Sequence, residues 1–271
     1  VTSSFFKINP GISEKEFAIA IINEIKANSN LYPEGWYAPP PQGVAALFGY
    51  ADNFGRLKFD TLRTEKYWPK EEHKLTQQSA GLIYASPIDQ SAGAIGDFGM
   101  TIYRGQDKAV RAHLGACLSA LERSSEYAEE GMEFRELHDL SQKVFEELGL
   151  TNARTITWTD AIGTNLGHTV PWSYEAPTEN ELAILRAGEG AARNDLISRR
   201  RVFVNRLETF KIPKNVAFTL EARLENASDL TLPNTFFHLI ISFQNGVRTI
   251  SSDFNEVFAS LGMESYIASK F

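Results

Sequence analysis

Two apolar runs near the end of the chain constrain its fold most. VAFTLEAR (216–223) and FFHLIISF (236–243) alternate with the period of β-strands, yet each carries one ionisable group, Glu221 and His238. Burying a carboxylate or an imidazole without a partner is expensive. A fold that buries these strands must therefore bring both groups to a common partner, or else leave them on strand edges facing water.

The remaining elements follow from periodicity and punctuation. Ser13 and Glu16 form a capping box ahead of Phe17, Ile21, Ile22 and Ile25, which starts a helix over 11–27. Residues 28–79 carry Pro33, Pro39, Pro40, Pro41 and Pro69 among many aromatics, which implies irregular structure with short strands that packs and in part walls a pocket. Strands are expected at 81–86, 97–104, 151–160, 201–210, 216–224 and 236–243, the last turning at Asn245-Gly246 into VRTIS. Helices are expected at 107–128, 133–148, 178–200 and 253–261. Strand-rich halves flanked by paired helices make an α+β fold, mostly antiparallel.

Composition narrows the function. The chain has 271 residues, 43% hydrophobic and 23% charged, enough to bury a core. A net charge of −7 points away from nucleic acid. The densest basic run, Arg199-Arg200-Arg201, reads as a solvated helix end or an anion site. One cysteine, Cys117, permits no intrachain disulfide; it fits a reducing, cytoplasmic setting and sits at helical spacing in the core. No apolar run is long enough for a membrane span, and VTSSFFKINPG lacks the pattern of a secretory signal.

Candidate chemistry gathers around His168, bracketed by Gly167 and Pro171. Asp97 at a strand start, Glu221 and His238 are the groups placed to meet it, since a metal or acid–base site needs donors from separate elements converging on one point. Tyr174 and Glu175 follow His168 as acid–base candidates. Arg63 and Arg104 are candidates for a bidentate hold on a substrate carboxylate.

The order of GISEKE (11–16), Asp97 in GDFGMT, EGMEFREL (130–137), His168 in LGHTVPW and Glu221 in AFTLEA resembles the creatinase, aminopeptidase P and methionine aminopeptidase superfamily over nearly the whole chain. The resemblance implies a pita-bread fold: a mostly antiparallel curved sheet flanked by two helix pairs, in a single domain over 1–271 with 178–200 as a helical insertion. It maps four of the metal ligands onto Asp97, His168, Glu221 and, by choice of register over Phe237, His238. The first ligand aspartate falls on Ser86, eleven residues before Asp97, with Asp89 as a distant substitute. The second histidine of the pattern falls on Tyr174-Glu175.

A two-metal hydrolase needs bridging carboxylates, and two are missing. The resemblance therefore implies at most one divalent metal (iron, manganese or zinc) held by Asp97, His168, Glu221 and His238, or no metal at all. His73, Trp172 and Ser86 join Arg63 and Arg104 as substrate-contact candidates. Two functions remain open. One is an enzyme of small amino-acid- or peptide-like substrates, acting on C–N bonds as a homodimer. The other is a metal-free peptide- or protein-binding module.

Overall fold

The computed structural model describes residues 11–38, 40–50, 53–156, 159–187, 190–251 and 254–260. Residues 1–10 and the outer ends of the expected last helix lie outside these residues. The first helix, α1 (Glu14–Ala27), opens with the capping box of Ser13 and Glu16 and packs on β1 (Val44–Gly49). Its own Glu14 is fully buried against Arg56 and also accepts from the amides of Phe48 and Lys70. That buried pair ties the irregular region after α1 to the first sheet.

Three strands, β1, β2 (Ala80–Ala85) and β3 (Phe98–Tyr103), form an antiparallel sheet in the order β1-β2-β3. Two amphipathic helices follow, α2 (Lys108–Glu126) and α3 (Phe134–Glu147). They pack on each other; α2 also meets the last strands and α3 meets β4 (Leu150–Asn152). The 178–200 segment is two helices, α4 (Glu179–Ala187) and α5 (Gly190–Arg200). Residues 201–210 form no strand of their own, only a bridge from Phe203 to His168, and turn at 206–207.

The end of the chain holds β5 (Val216–Leu220), β6 (Arg223–Asn226), β7 (Thr235–Phe236), β8 (Leu239–Gln244) and β9 (Val247–Ser251), then α6 (Asn255–Ser260). The β8–β9 turn at Asn245 and Gly246 takes positive φ at both residues, as a two-residue hairpin turn requires.

One expectation is corrected. The single curved sheet does not form; the strands divide into three separate three-stranded sheets, β1-β2-β3, β4-β6-β7 and β5-β8-β9. The cause lies in the long hairpin that the two apolar runs make. Leu220 pairs with Leu239, and Arg223 pairs with Phe236, in one unbroken register. Between them the ladder is interrupted. Glu221 N–H donates to Leu166 O at 2.6 Å, and His238 N–H donates to Gly99 O at 2.9 Å. The hairpin gives up its own rungs there to bind two other segments. Those segments bring in Asp97, just before β3, and His168.

Candidate active site

Carrying the hairpin register across the interruption sets Glu221 opposite His238. Both residues therefore face the same side, where the ladder is open. The β3 end is fixed by the Met100–Phe237 bridge, which sets Asp97 beside His238. The His168 segment is fixed by main-chain bonds to two neighbouring segments, among them Thr219 N–H to His168 O at 2.8 Å, Val170 N–H to Ala217 O at 2.7 Å and Leu166 N–H to Val204 O at 2.8 Å. Gly167 has φ +149, and its α-carbon lies so close to Thr219 that a side chain would collide with the main chain.

Four side chains converge as a result. Asp97 Oδ2 lies 3.2 Å from His168 Nε2, and Asp97 Oδ1 lies 3.3 Å from His238 Nδ1. Glu221 Oε2 lies 3.0 Å from His238 Nε2, and Glu221 Oε1 lies 3.8 Å from His168 Nε2. All four residues are buried. Yet Asp97 Oδ1 and both ring nitrogens of His238 make no hydrogen bond; the contacts are short enough for ion pairing but poorly directed. Donor atoms of Asp97, Glu221 and His238 all fall within 4.8 Å of one another, a cluster that could hold a metal ion. Buried polar atoms left without partners, around one point and of mixed nitrogen and oxygen chemistry, fit a divalent cation.

His168 is anchored differently. Its Nδ1 sits 3.1 Å from Thr169 O, so that nitrogen carries the proton and Nε2 faces the carboxylates. The ring is held edge-on by Trp36 and Phe203, at centroid distances of 5.6 and 6.0 Å. Its Nε2 therefore needs either a second proton or a shared cation to sit against Asp97.

Charge sets the local ionisation. Burial pushes the Asp97 pKa up, but the charge of His238, with His168 close by, outweighs it and holds the carboxyl far below the usual range. Burial pushes His238 down, and Glu221 and Asp97 more than reverse this, so its pKa is raised. The same cavity contains two guanidinium groups, of Arg201 and Arg223. Burial lowers the pKa of each, against the pull of Glu221. Arg201 lies over the rings of Trp36 and Phe203, at 4.5 and 5.0 Å, and its Nε has no partner. Tyr37, Phe59 and Tyr84 complete an aromatic wall.

The other residues singled out from the sequence lie elsewhere. Ser86 is fully buried, donates to Gly43 O at 3.0 Å and is pinned between Gly35 and Gly43, with no room for a larger ligand side chain. Asp89 caps a turn through Ser91 and Ala92. Tyr174 packs on Phe210, and Glu175 is exposed beside Arg200; neither lines the cavity. Trp172 packs with the Trp36, Ile88 and Ile197 cluster, and His73 lies by the start of α1. Arg104 follows β3 and bonds Ser79 O through its amide. Arg63 stays near the cavity, donating to the Tyr37 hydroxyl at 2.6 Å and lying over Phe59. Phe237 turns into the core against Phe254 and Phe258, so the hairpin presents His238 to the cavity.

The sequence matches no family model and no curated protein at a significant level. Solved structures do match. The X-Pro aminopeptidase of Thermotoga maritima shares 12% identity over 91% of this chain and 55% of its own, with a TM-score of 0.55. Dipeptidase PepE of Mycobacterium ulcerans shares 13% over 92% and 52%, with a TM-score of 0.59. The prolidase of Pyrococcus furiosus shares 13% over 92% and 58%, with a TM-score of 0.58. The chain thus spans little more than half the length of these proteins. Among the described residues, no helix is long and apolar enough to cross a membrane. The architecture is the pita-bread fold that these aminopeptidase, dipeptidase and prolidase structures share, with a cluster of Asp97, Glu221 and His238 that could hold a metal ion.

Proposed function

We propose that this chain is a divergent aminopeptidase- and creatinase-like enzyme of small amino-acid- or peptide-like substrates, working at one divalent metal. The observation that carries this reading is the buried, unpartnered set of Asp97 Oδ1 and the two nitrogens of His238, gathered with Glu221 within 4.8 Å. Asp97, Glu221 and His238 would hold the ion. Bound there, it would supply Lewis acidity to polarise a carbonyl.

The rest of the work falls to the chain itself. Trp36, Tyr37, Phe59 and Tyr84 exclude water. Arg201 and Arg223 hold an anionic group of the substrate. His168 holds the mobile proton at Nε2, because its Nδ1 is committed to Thr169 and its ring is clamped. Tyr174 and Glu175 stand too far outside the cavity lining for that task in this arrangement. C–N bond cleavage is the reaction this reading favours, supported by the fold of the peptidases above. A cytoplasmic homodimer that does not bind nucleic acid belongs to the same proposal, supported by the single buried cysteine, the net charge of −7 and the fold.

One observation favours the metal-free binding module as the second reading: Arg201, Arg223 and a readily protonated His238 balance Asp97 and Glu221 without any ion. Assay of a dipeptide panel with the metal-supplemented protein and its Glu221→Gln variant separates the two. The enzyme reading expects cleavage that falls at least 100-fold in the variant. Binding of dipeptides without cleavage in either protein supports the module.

A further inference from the structure

The cavity at the Asp97, His168, Glu221 and His238 cluster is small, about 30 Å³. That is room for two waters or for one ion with a reacting group, and no more. The body of any peptide-like molecule must lie outside it. A second cavity of about 200 Å³ adjoins the first and shares Phe59, Thr155 and Arg223 as its wall.

The hairpin explains how the two are joined. Side chains two apart on a strand face the same side. Glu221, Arg223 and Glu225 therefore share a face on one strand, and His238, Phe236 and Asn234 share it on the other. Arg223 pairs with Phe236; the same register sets Glu221 opposite His238 and Glu225 opposite Asn234. The face is a track of three rungs about 7 Å apart, so the first and third are separated by about 13 Å. The first rung is the acid–histidine cluster. The second, Arg223, belongs to both cavities. The third forms the far end of the outer one.

That far end contains a buried donor without a partner. Asn234 is 4% exposed, and its Nδ2 makes no hydrogen bond. A buried amide donor left unpaired is costly and calls for an acceptor. Beside it, the Arg223 guanidinium is buried and holds the carbonyl of Asn165 at 2.6 Å. Lys58 and Arg154 stand at the exposed rim, against the acids Asp60 and Glu225. The chamber has three cations to two anions.

We propose that the outer chamber is a second binding site, which takes the carboxylate-bearing end of a peptide-like ligand between Arg223 and Asn234 while the other end reaches the acid–histidine cluster. An extended tripeptide, about 10 Å long, fits the spacing; a dipeptide falls short of Asn234. This inference rests on the enzyme reading for its ligand class, but it is tested separately from it.

The test is calorimetric titration of the full chain with trialanine, trialanine amide and dialanine, with metal content measured on the same samples. Trialanine binds, and the amide and dialanine bind at least tenfold more weakly. Asn234→Leu weakens trialanine at least tenfold. Asn234→Asp, which keeps the side-chain volume, weakens it further and removes the preference for acid over amide. Metal content is unchanged in both variants. Absence of saturable trialanine binding, or wild-type affinity in both variants, overturns the proposal. Asn234-dependent binding by protein that takes up no metal upholds the chamber and overturns the metal-enzyme reading instead.

Discussion

Gly167→Ala is the most incisive perturbation of the site's framework. A β-carbon at this position would lie 2.7 Å from the carbonyl carbon of Thr219 and inside its oxygen, at φ +149. The obstacle is main chain, which cannot rotate away. The positive φ alone costs about 1–3 kcal/mol for a residue other than glycine. Relief of the collision requires the His168 segment to move off β5, which breaks the bonds from Thr219 N–H to His168 O and from Glu221 N–H to Leu166 O. Each is worth about 0.5–1.5 kcal/mol. The sum is roughly 2–6 kcal/mol, a large share of a domain's total stability. Urea denaturation followed by tryptophan fluorescence reads this directly, and the variant should also lose metal affinity, because Glu221 loses the Leu166 carbonyl that holds its amide. A loss under about 1 kcal/mol with intact metal binding would refute the reasoning, since the site would then tolerate a gap between its two supporting segments.

Other expectations concern the scaffold. Glu14→Ala leaves the Arg56 guanidinium, 5% exposed, without its carboxylate and strips the acceptor from the Phe48 and Lys70 amides. The cost is about 3–5 kcal/mol, and the double variant Glu14→Met/Arg56→Met should recover part of it; equal or greater loss in the double variant counts against a penalty from an unpaired charge. Cys117 is fully buried, and burial pushes its thiol up to about 12. Thiol reagents at pH 8 should leave the native protein unmodified and label one site after unfolding; rapid native labelling would contradict the packing of α2.

The sequence was most legible where burial conflicts with charge. Glu221 and His238 stand out because an apolar strand has no use for them, and that conflict marks the place where the hairpin ladder opens. Asp97 and His168 were legible through a strand start and a glycine–proline frame. Arg223 was equally readable in principle: it is two residues from Glu221 and so shares its face. Arg201 was hidden in a basic run whose members diverge. Arg199 reaches Asp195 in solvent and Arg200 pairs with Glu181, while Arg201 leaves the end of α5 and turns inward. Tyr174 and Glu175 follow His168 in sequence but do not line its cavity, because Pro171 and the positive φ of Trp172 turn the chain there. The single curved sheet failed as an expectation for a related reason. Strand periodicity shows which residues can pair, but not where main-chain bonds will leave the ladder for another segment.

The central claim is that Asp97, Glu221 and His238 hold one metal ion. Elemental analysis of protein purified without chelator, beside its His238→Ala variant, tests it most directly. About one divalent ion per chain, lost in the variant, is the predicted result. No ion in either protein, even after incubation with iron, manganese and zinc salts, would contradict the claim.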